Sequence, residues 1–240
     1  EVWLTSTDNG CYGFDIDSDL PELVNMVSEI PQKFFIRVGM MNPMYMPRIR
    51  DGLLKSFESA KVFKFLHVPV QSGSDKVLND MKRGHTAQTF RDITKNFRDK
   101  FEKFTISTDV IVGFPTETED DFKQTLRLIE QTRPDIVNLS RYSKRPGTDA
   151  AEMKQIDVSE IKRRSKITYE LITKISNENN RKWINWEGHV IFDEEYEGQM
   201  RGRNFAYKPV FIKEKPKIGQ ILNIKIIDAT NHSLIGKIIS

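Results

Sequence analysis

The chain has 240 residues, of which 38% are hydrophobic and 30% are charged, so it exceeds one typical domain and can bury a sizeable core. Its 37 basic and 34 acidic side chains leave a net charge of +3, too small to argue for or against a nucleic-acid partner. No apolar run approaches the roughly 18 to 20 residues that cross a bilayer, which predicts a cytoplasmic protein with no membrane partner. The single cysteine, Cys11, excludes an internal disulfide, and the four scattered histidines give no metal-ligand spacing, so no metal site is predicted.

Short apolar runs alternate with helical patterns over the first part of the chain. The predicted strands are residues 2–5, 34–38, 63–70, 105–113 and 135–142. The predicted helices are residues 20–30, 47–57, 74–81, 86–101 and 117–131. Continuous apolar strands are typical of sheets buried on both faces, and parallel strands need helical crossovers. The pattern therefore predicts an α/β fold with a parallel sheet or barrel.

The rhythm changes after Pro146 and Gly147. A basic helix is predicted over residues 158–182, with Ser159 as its cap. From Trp183 onward the helical period disappears, and short β segments separated by glycines are predicted at residues 189–192, 207–212, 221–227 and 234–239. Such a pattern favours a small antiparallel barrel. We therefore predict two domains, residues 1–182 and residues 183–240, with a boundary near Lys182.

Polar residues lie in or directly after each of the five predicted strands. They are Thr5 to Asp8, Met40 to Pro43, His67 to Ser74, Asp109 with Gly113, and Asn138 to Tyr142. Any one of them is explained equally well by helix capping or turn formation. In a parallel βα barrel, however, function lies at the carboxyl ends of the strands. Five consecutive strand ends of this kind favour a functional face.

Several motifs occur in order over nearly the whole chain. They are His67-Val-Pro-Val-Gln-Ser-Gly-Ser74, Met81-Lys-Arg-Gly84, Ser107-Thr-Asp-Val-Ile-Val-Gly-Phe-Pro115 with Glu117, and Tyr142-Ser-Lys-Arg-Pro-Gly-Thr148. Together they resemble the partial TIM-like barrel of the radical-SAM methylthiotransferases of the MiaB/RimO type. Met40-Met-Asn-Pro43 most resembles the archaeal and eukaryotic branch. The resemblance implies an enzyme that adds a methylthio group to N6-threonylcarbamoyladenosine beside the tRNA anticodon.

The same resemblance implies cofactors that this sequence does not hold by itself. Family members use S-adenosylmethionine and 4Fe-4S clusters, one of them bound by a C-x-x-x-C-x-x-C loop after the first barrel strand, and they need an electron donor for cluster reduction. That loop and the preceding flavodoxin-like domain are not in this sequence. The chain is therefore expected to begin at the second of six barrel strands and to be inactive alone. No acid–base pair is implied, and the catalytic residues stay unknown.

The resemblance places S-adenosylmethionine along the strand ends. Thr5, Ser6 and Asp8 are expected to face its methionine amino group. Gln71 and Ser72 are expected beside the ribose.

Other residues are expected to hold the remaining parts of the cofactor. Arg83 is expected at the carboxylate, for which a guanidinium offers forked donors. The contacts that support the adenine and close the far side of the cofactor are expected to be Asp109, Ile111, Gly113, Arg141 and Tyr142.

The segment from Arg201 to Phe211 interleaves basic and aromatic residues, as RNA binding requires for phosphates and stacked bases. With Ala229-Thr230 and Leu234-Ile-Gly236, it resembles a TRAM domain, a small barrel appended to RNA-modifying enzymes. The predicted RNA contacts are Arg201, Arg203, Phe205, Tyr207 and Lys208. The competing interpretation is a β-strand with an apolar inner face, which we favour for Val210 and Ile212.

Three alternatives stay open from the sequence. Within the family, the substrate could be isopentenyladenosine in tRNA or a ribosomal protein. A βα barrel of the lyase or aldolase type would want a lysine nucleophile or metal ligands at the strand ends, where only His67 and Asp109 qualify. A non-catalytic RNA-binding module is the third alternative.

Overall fold

The computed structural model describes residues 1–239, which form a βα domain followed by a small closed β-barrel. The strands of the first domain are β1 (Val2–Leu4), β2 (Ile36–Val38), β3 (Phe65–His67), β4 (Thr105–Val112) and β5 (Ile136–Arg141). Its helices are α1 (Leu20–Glu29), α2 (Met46–Ser56), α3 (Asp75–Asp80), α4 (Ala87–Lys100), α5 (Glu119–Thr132), α6 (Asp149–Glu152) and α7 (Val158–Arg181). The second domain contains β6 (Glu187–Tyr196), β7 (Gln199–Asn204), β8 (Pro209–Ile212), β9 (Ile221–Ala229) and β10 (Leu234–Ile238).

The five strands of the first domain follow one another in a parallel arrangement. β1 pairs with β2, and β3, β4 and β5 form a second parallel sheet. Backbone hydrogen bonds from Ile36 to Lys61 (2.7 Å) and from Phe63 to Ile36 (3.0 Å) join the two sheets. Within residues 1–239, β1 and β5 each have a strand neighbour on one side only. The prediction of a partial TIM-like barrel is confirmed.

β4 separates an apolar core from a polar interior. Ile106, Val110 and Val112 are buried with helix residues such as Phe97 in the main core. Successive side chains of a strand point to opposite faces, so Ser107, Asp109 and Ile111 face the other side. The inside of the partial barrel therefore carries the polar groups, and the helices cover its outside.

Local capping signals set most helix starts where the sequence predicts them. Asp19 accepts the Glu22 N–H at the start of α1, and Thr86 and Thr118 form capping boxes at α4 and α5. The cap predicted for α7 is wrong. Asp157, rather than Ser159, caps this helix and accepts the Ser159 N–H at 2.7 Å. Ser159 already lies inside the first helical turn, where a side chain cannot take the capping geometry.

The second domain is a closed barrel with strand order β10-β8-β7-β6-β9. All pairings are antiparallel except that of β8 with β10, which is parallel. The predicted small barrel is confirmed, but β7 was not among the predicted strands. Its sequence has no apolar run, because its inward positions are Met200, Gly202 and Asn204. Pairing with β6 and β8 on its two sides makes it a strand.

The two domains share a buried interface. The Lys64 N–H donates to the Phe205 carbonyl at 2.8 Å, and the Tyr207 ring packs 4.8 Å from that of Phe63. Trp183 belongs to the core of the β-barrel, directly after α7 ends at Arg181. These positions support the boundary near Lys182, which stays a prediction.

Among residues 1–239, no helix combines the length and apolar character needed to cross a membrane.

Candidate cofactor and RNA sites

Three neighbouring strands bring polar side chains together inside the partial barrel. The Asp109 carboxylate on β4 lies 2.9 Å from His67 Nε2 on β3. It also accepts a 2.7 Å hydrogen bond from the Asn138 amide on β5, its direct neighbour in the sheet register. The sequence placed all three residues at strand ends, and the parallel register brings them into contact.

Asp109 is an ionised carboxylate at neutral pH. Burial opposes its ionisation, but the hydrogen bonds from His67 and Asn138 and the charge of Arg83 outweigh burial and lower its pKa. An ionised Asp109 accepts a hydrogen bond from His67 Nε2. The other ring nitrogen of His67, Nδ1, can then accept a hydrogen bond from another group. Asp109, His67 and Asn138 thus form a hydrogen-bonded polar cluster on the inner face of the sheet.

Gln71 lies beside this group in a strained backbone conformation. Its φ is 71°, in the left-handed region that a side chain disfavours. Its N–H donates to the Asp109 carbonyl at 2.8 Å, and its carbonyl accepts the Ile111 N–H at 2.9 Å. The side-chain amide oxygen is buried without a hydrogen-bond partner within residues 1–239. Backbone strain and an unpaired amide at one residue are characteristic of a binding position.

The Ser72 side chain is buried against α5. The residue is fully buried, and its hydroxyl lies 3.3 Å from that of Thr125 on α5. Gly73 approaches the same helix so closely that an added Cβ would lie 2.6 Å from the Gln124 carbonyl oxygen. Ser74 caps α3 and donates to Asp121 at 2.6 Å. The 72–74 turn is therefore packed against α5, and Ser72 is corrected from a cofactor contact to a packing residue.

A cleft of about 320 Å³ lies at the carboxyl ends of β4 and β5. Four of the predicted cofactor residues line it: Arg83, Ile111, Arg141 and Tyr142. The Arg83 Nε and the Tyr142 hydroxyl are buried without partners among the described residues. Arg145 also lines the cleft and was not among the predicted site residues. Its place in the Arg-Pro-Gly-Thr motif was the only signal that could have indicated it.

The remaining predicted cofactor residues lie at two other positions. Thr5 and Ser6 are exposed after β1. Asp8 uses one carboxylate oxygen to accept the N–H groups of Gly10 (2.9 Å) and Asn42 (3.1 Å), which leaves its second oxygen for a ligand. Gly113 has a φ of 81° and donates its N–H to Glu117 at 2.8 Å, in the turn after β4.

The predicted RNA surface is only partly exposed. Phe205 is 38% exposed, with its ring 5.8 Å from Trp183 and 5.9 Å from Trp186. Arg201 pairs with Glu194, and Arg203 lies 3.4 Å from Asp193. Both arginines are half-buried, so an RNA phosphate would compete with these acidic partners.

Tyr207 and Lys208 lie in the domain interface, and the expectation that they contact RNA is corrected. Lys208 is 3% exposed, and its ammonium lies 2.9 Å from both the Asp135 carboxylate and the Asn180 amide oxygen. The Tyr207 ring packs on Phe63 and Phe65, and burial raises the pKa of its hydroxyl. A lysine next to a tyrosine occurs in RNA-binding strands and also in buried polar interfaces, so the sequence alone does not distinguish the two.

Arg37 is an interior cation whose environment the sequence did not reveal. Its guanidinium carbon lies 4.7 Å from the ring centre of Trp3, 5.0 Å from that of Phe65 and 5.2 Å from that of Tyr207. Cation–π contacts of this kind stabilise a charge among aromatic rings. The arginine therefore links β1, β2 and β3 to the β-barrel.

The described residues offer no cluster or metal site. Within residues 1–239, no three His, Cys, Asp or Glu side chains are grouped so that they could hold a metal ion. The Cys11 sulfur lies 3.4 Å from the Asp8 carbonyl in a short 3-10 helix.

Comparison with known sequences identifies both domains. Residues 7–129 match the radical SAM superfamily, and residues 191–239 match the TRAM domain. The chain belongs to the radical SAM superfamily. The resemblance drawn from the strand-end motifs is confirmed. The match to the TRAM domain covers most of β6 and all of β7 to β10.

Similar proteins extend over almost the whole chain. The probable threonylcarbamoyladenosine tRNA methylthiotransferases of Archaeoglobus fulgidus and Pyrococcus horikoshii are 42% and 41% identical over 99% and 100% of this chain, and each match covers 56% of the relative. The threonylcarbamoyladenosine tRNA methylthiotransferase of Drosophila melanogaster is 37% identical over 100% of this chain and 44% of the relative. The chain thus spans about half the length of the curated relatives it matches.

A solved structure supports the fold alone. The radical SAM enzyme coproporphyrinogen III oxidase (HemN) of Escherichia coli superposes with a TM-score of 0.52 at 16% identity. The superposition covers 91% of this chain and 55% of the other.

Proposed function

We propose that this chain supplies the S-adenosylmethionine-binding barrel and the RNA-binding domain of a tRNA methylthiotransferase that acts on N6-threonylcarbamoyladenosine. The observation that carries the proposal is the cleft at the ends of β4 and β5, which gathers four predicted cofactor residues. The names of the relatives support the substrate and do not favour isopentenyladenosine or a ribosomal protein. The cytoplasmic location and the need for an electron donor stay predictions.

The residues at the strand ends fit S-adenosylmethionine. Three buried polar atoms that have no partner within residues 1–239 support this assignment: Arg83 Nε, Tyr142 Oη and Gln71 Oε1. Arg83 would bind the methionine carboxylate, and the Gln71 amide would accept from a ribose hydroxyl. Ile111 and Tyr142 would pack against the adenine. The chemistry that the bound cofactor supplies, with a reduced iron-sulfur cluster, is hydrogen abstraction from an unactivated C–H bond.

The chain's own residues bind and orient rather than transfer protons. The contacts of Asp109 with His67 and Asn138 join β3, β4 and β5 through their side chains. Preorganised polar groups of this kind position reactants without rearrangement during the reaction. Side chains such as Phe114, which is 5% exposed at the cleft wall, restrict access of water.

The residues present do not fit an iron-sulfur cluster. A cluster needs several thiolates, and this chain has one cysteine. The single cysteine of this sequence therefore cannot hold such a cluster by itself.

A second cleft supports a path for RNA between the domains. It has a volume of about 530 Å³ and extends from Arg203 and His232 of the β-barrel past Tyr169 of α7 to Asn138 of β5. Tyr169 is 55% exposed and can stack a base, while Arg203 offers a cation for phosphate. Asn138 also contacts Asp109, so this cleft leads to the interior of the partial barrel. We assign tRNA to this side of the molecule, with Arg201, Arg203 and Phe205 as contacts.

Cofactor binding to the complete enzyme tests the proposal. Arg83→Ala should weaken S-adenosylmethionine binding by about 10-fold or more, because a charged hydrogen bond is lost. Isothermal titration gives the dissociation constant without turnover. Arg127→Ala is the matched control, because Arg127 is exposed on α5, away from the cleft. Equal cofactor affinity of wild type and Arg83→Ala would contradict the assignment.

A further inference from the structure

The cleft at the ends of β4 and β5 holds more positive charge than one cofactor carboxylate can neutralise. Three arginines line it, namely Arg83, Arg141 and Arg145, and no aspartate or glutamate does. None of the three forms a salt bridge within residues 1–239. By contrast, the more exposed Arg133 and Arg163 and the buried Arg164 each pair with glutamate.

The carboxylates nearest to this cleft already have other partners. Asp109 accepts from His67 and Asn138, Asp149 pairs with Lys82 at 2.7 Å, and Asp80 accepts from the Thr116 hydroxyl. Asp109 also attracts Arg83, but its hydrogen bonds are directed to the other two residues. None of these three carboxylates forms a salt bridge with Arg141 or Arg145.

Arg83 and Arg145 are close enough to repel each other. Burial lowers the pKa of Arg83, the charge of Arg145 lowers it further, and Asp109 acts in the opposite direction. Arg141 and Arg145 are exposed and Arg83 is half-buried, so an anion that binds in this cleft would be attracted by all three positive charges. S-adenosylmethionine brings one carboxylate, which leaves the outer arginines without an anion.

We infer that Arg145, assisted by Arg141, binds the carboxylate of the threonyl group on the target adenosine, while Arg83 binds that of the cofactor. The inference rests on the proposed function and adds to it the residues that recognise the substrate. A planar guanidinium matches a carboxylate with two parallel hydrogen bonds. A base without this carboxylate would leave the arginines unpaired, and a site built for a polar group rejects ligands that lack it.

Binding of anticodon stem-loops to the complete enzyme tests this assignment without turnover. Three ligands are compared by fluorescence anisotropy: one with threonylcarbamoyladenosine, one with its neutral carboxamide, and one with unmodified adenosine. Wild type should bind the carboxylate form about 10-fold more tightly than the carboxamide, as expected for a charged hydrogen bond. Arg145→Ala should remove this preference, Arg145→Lys should keep part of it, and the control Arg127→Ala should keep all of it.

The outcomes separate this inference from its alternatives. If Arg145→Ala weakens all three stem-loops equally, Arg145 contacts a backbone phosphate and the assignment is overturned. If Arg145→Ala weakens cofactor binding as strongly as Arg83→Ala does, Arg145 belongs to the cofactor carboxylate, which also overturns it. Wild type that binds all three stem-loops equally refutes the carboxylate assignment but leaves tRNA binding intact. Wild type that binds none refutes the proposed function itself.

Discussion

The Lys208 ammonium of the β-barrel lies 2.9 Å from the Asp135 carboxylate, which immediately precedes β5. The two side chains are only 3% and 9% exposed, so the ion pair is buried in the interface between the domains. Asn180 on α7 accepts a further hydrogen bond from Lys208. One lysine thus fixes the β-barrel to the strand that also carries Asn138 and Arg141.

Removing one partner of this pair should destabilise the protein strongly. Lys208→Ala leaves the buried Asp135 with only its more distant cation, Arg98, at 3.6 Å, so the loss should approach but not exceed the about 3–5 kcal/mol seen when a buried pair is broken. Urea unfolding of this chain measures the loss in free energy of unfolding. Replacing both partners, as in Lys208→Met with Asp135→Leu, should recover little of it, because Arg98 and the Ile106 N–H then lose their acceptor. Lys225→Ala, which breaks a more exposed pair with Glu187, should cost at most about 1 kcal/mol. Equal effects of Lys208→Ala and Lys225→Ala would contradict the importance of the buried pair.

Two substitutions at Gln71 separate its backbone from its side chain. The backbone of Gln71 has a φ of 71°, which strains alanine but not glycine. Gln71→Gly should therefore be more stable than Gln71→Ala by about 1 kcal/mol in thermal unfolding. In the complete enzyme, both variants should bind S-adenosylmethionine less tightly, because both lack the amide. Wild-type cofactor affinity in Gln71→Gly would remove the side chain from the cofactor site.

The contribution of Asp109 to stability should depend on pH. Its folded-state pKa lies below the usual value of 3.8, because hydrogen bonds from His67 and Asn138 outweigh burial. The stabilisation is therefore complete above the unfolded-state pKa and is lost as the pH falls through the folded-state pKa. The difference in unfolding free energy between wild type and Asp109→Asn should be constant near neutral pH and shrink below about pH 4. A difference that grows on acidification would show that Asp109 is protonated in the folded protein.

The salt dependence of RNA binding should identify phosphate contacts. Replacing Arg201 and Arg203 with alanine should reduce the slope of log affinity against log salt by about 1.5 if each binds one phosphate. Phe205→Ala should lose affinity through stacking and leave the slope almost unchanged. Lys123→Ala, on the outer face of α5, is the control. An unchanged slope in the double variant would show that Asp193 and Glu194 keep these arginines in the RNA complex.

The sequence by itself determined the local elements and the order of the motifs. Strand and helix periods, Pro21 in the first turn of α1 and the caps of α4 and α5 act over a few residues, so they can be recognised without knowledge of the fold. The polar strand ends also followed from the sequence, because parallel strands place their carboxyl ends at one edge. His67, Asp109 and Asn138 accordingly lie together.

Tertiary structure decided which side chains of a motif are available to a ligand. Ser72 and Gln71 are neighbours, yet Ser72 packs on α5 while the Gln71 amide oxygen has no hydrogen-bond partner in the described part of the chain. Phe205 is exposed, whereas Lys208, three residues later, is buried against Asp135. Arg145 shares its cleft with Arg83 from a distant part of the chain. Burial and charge pairing depend on contacts between segments far apart in sequence, so no local pattern could reveal them.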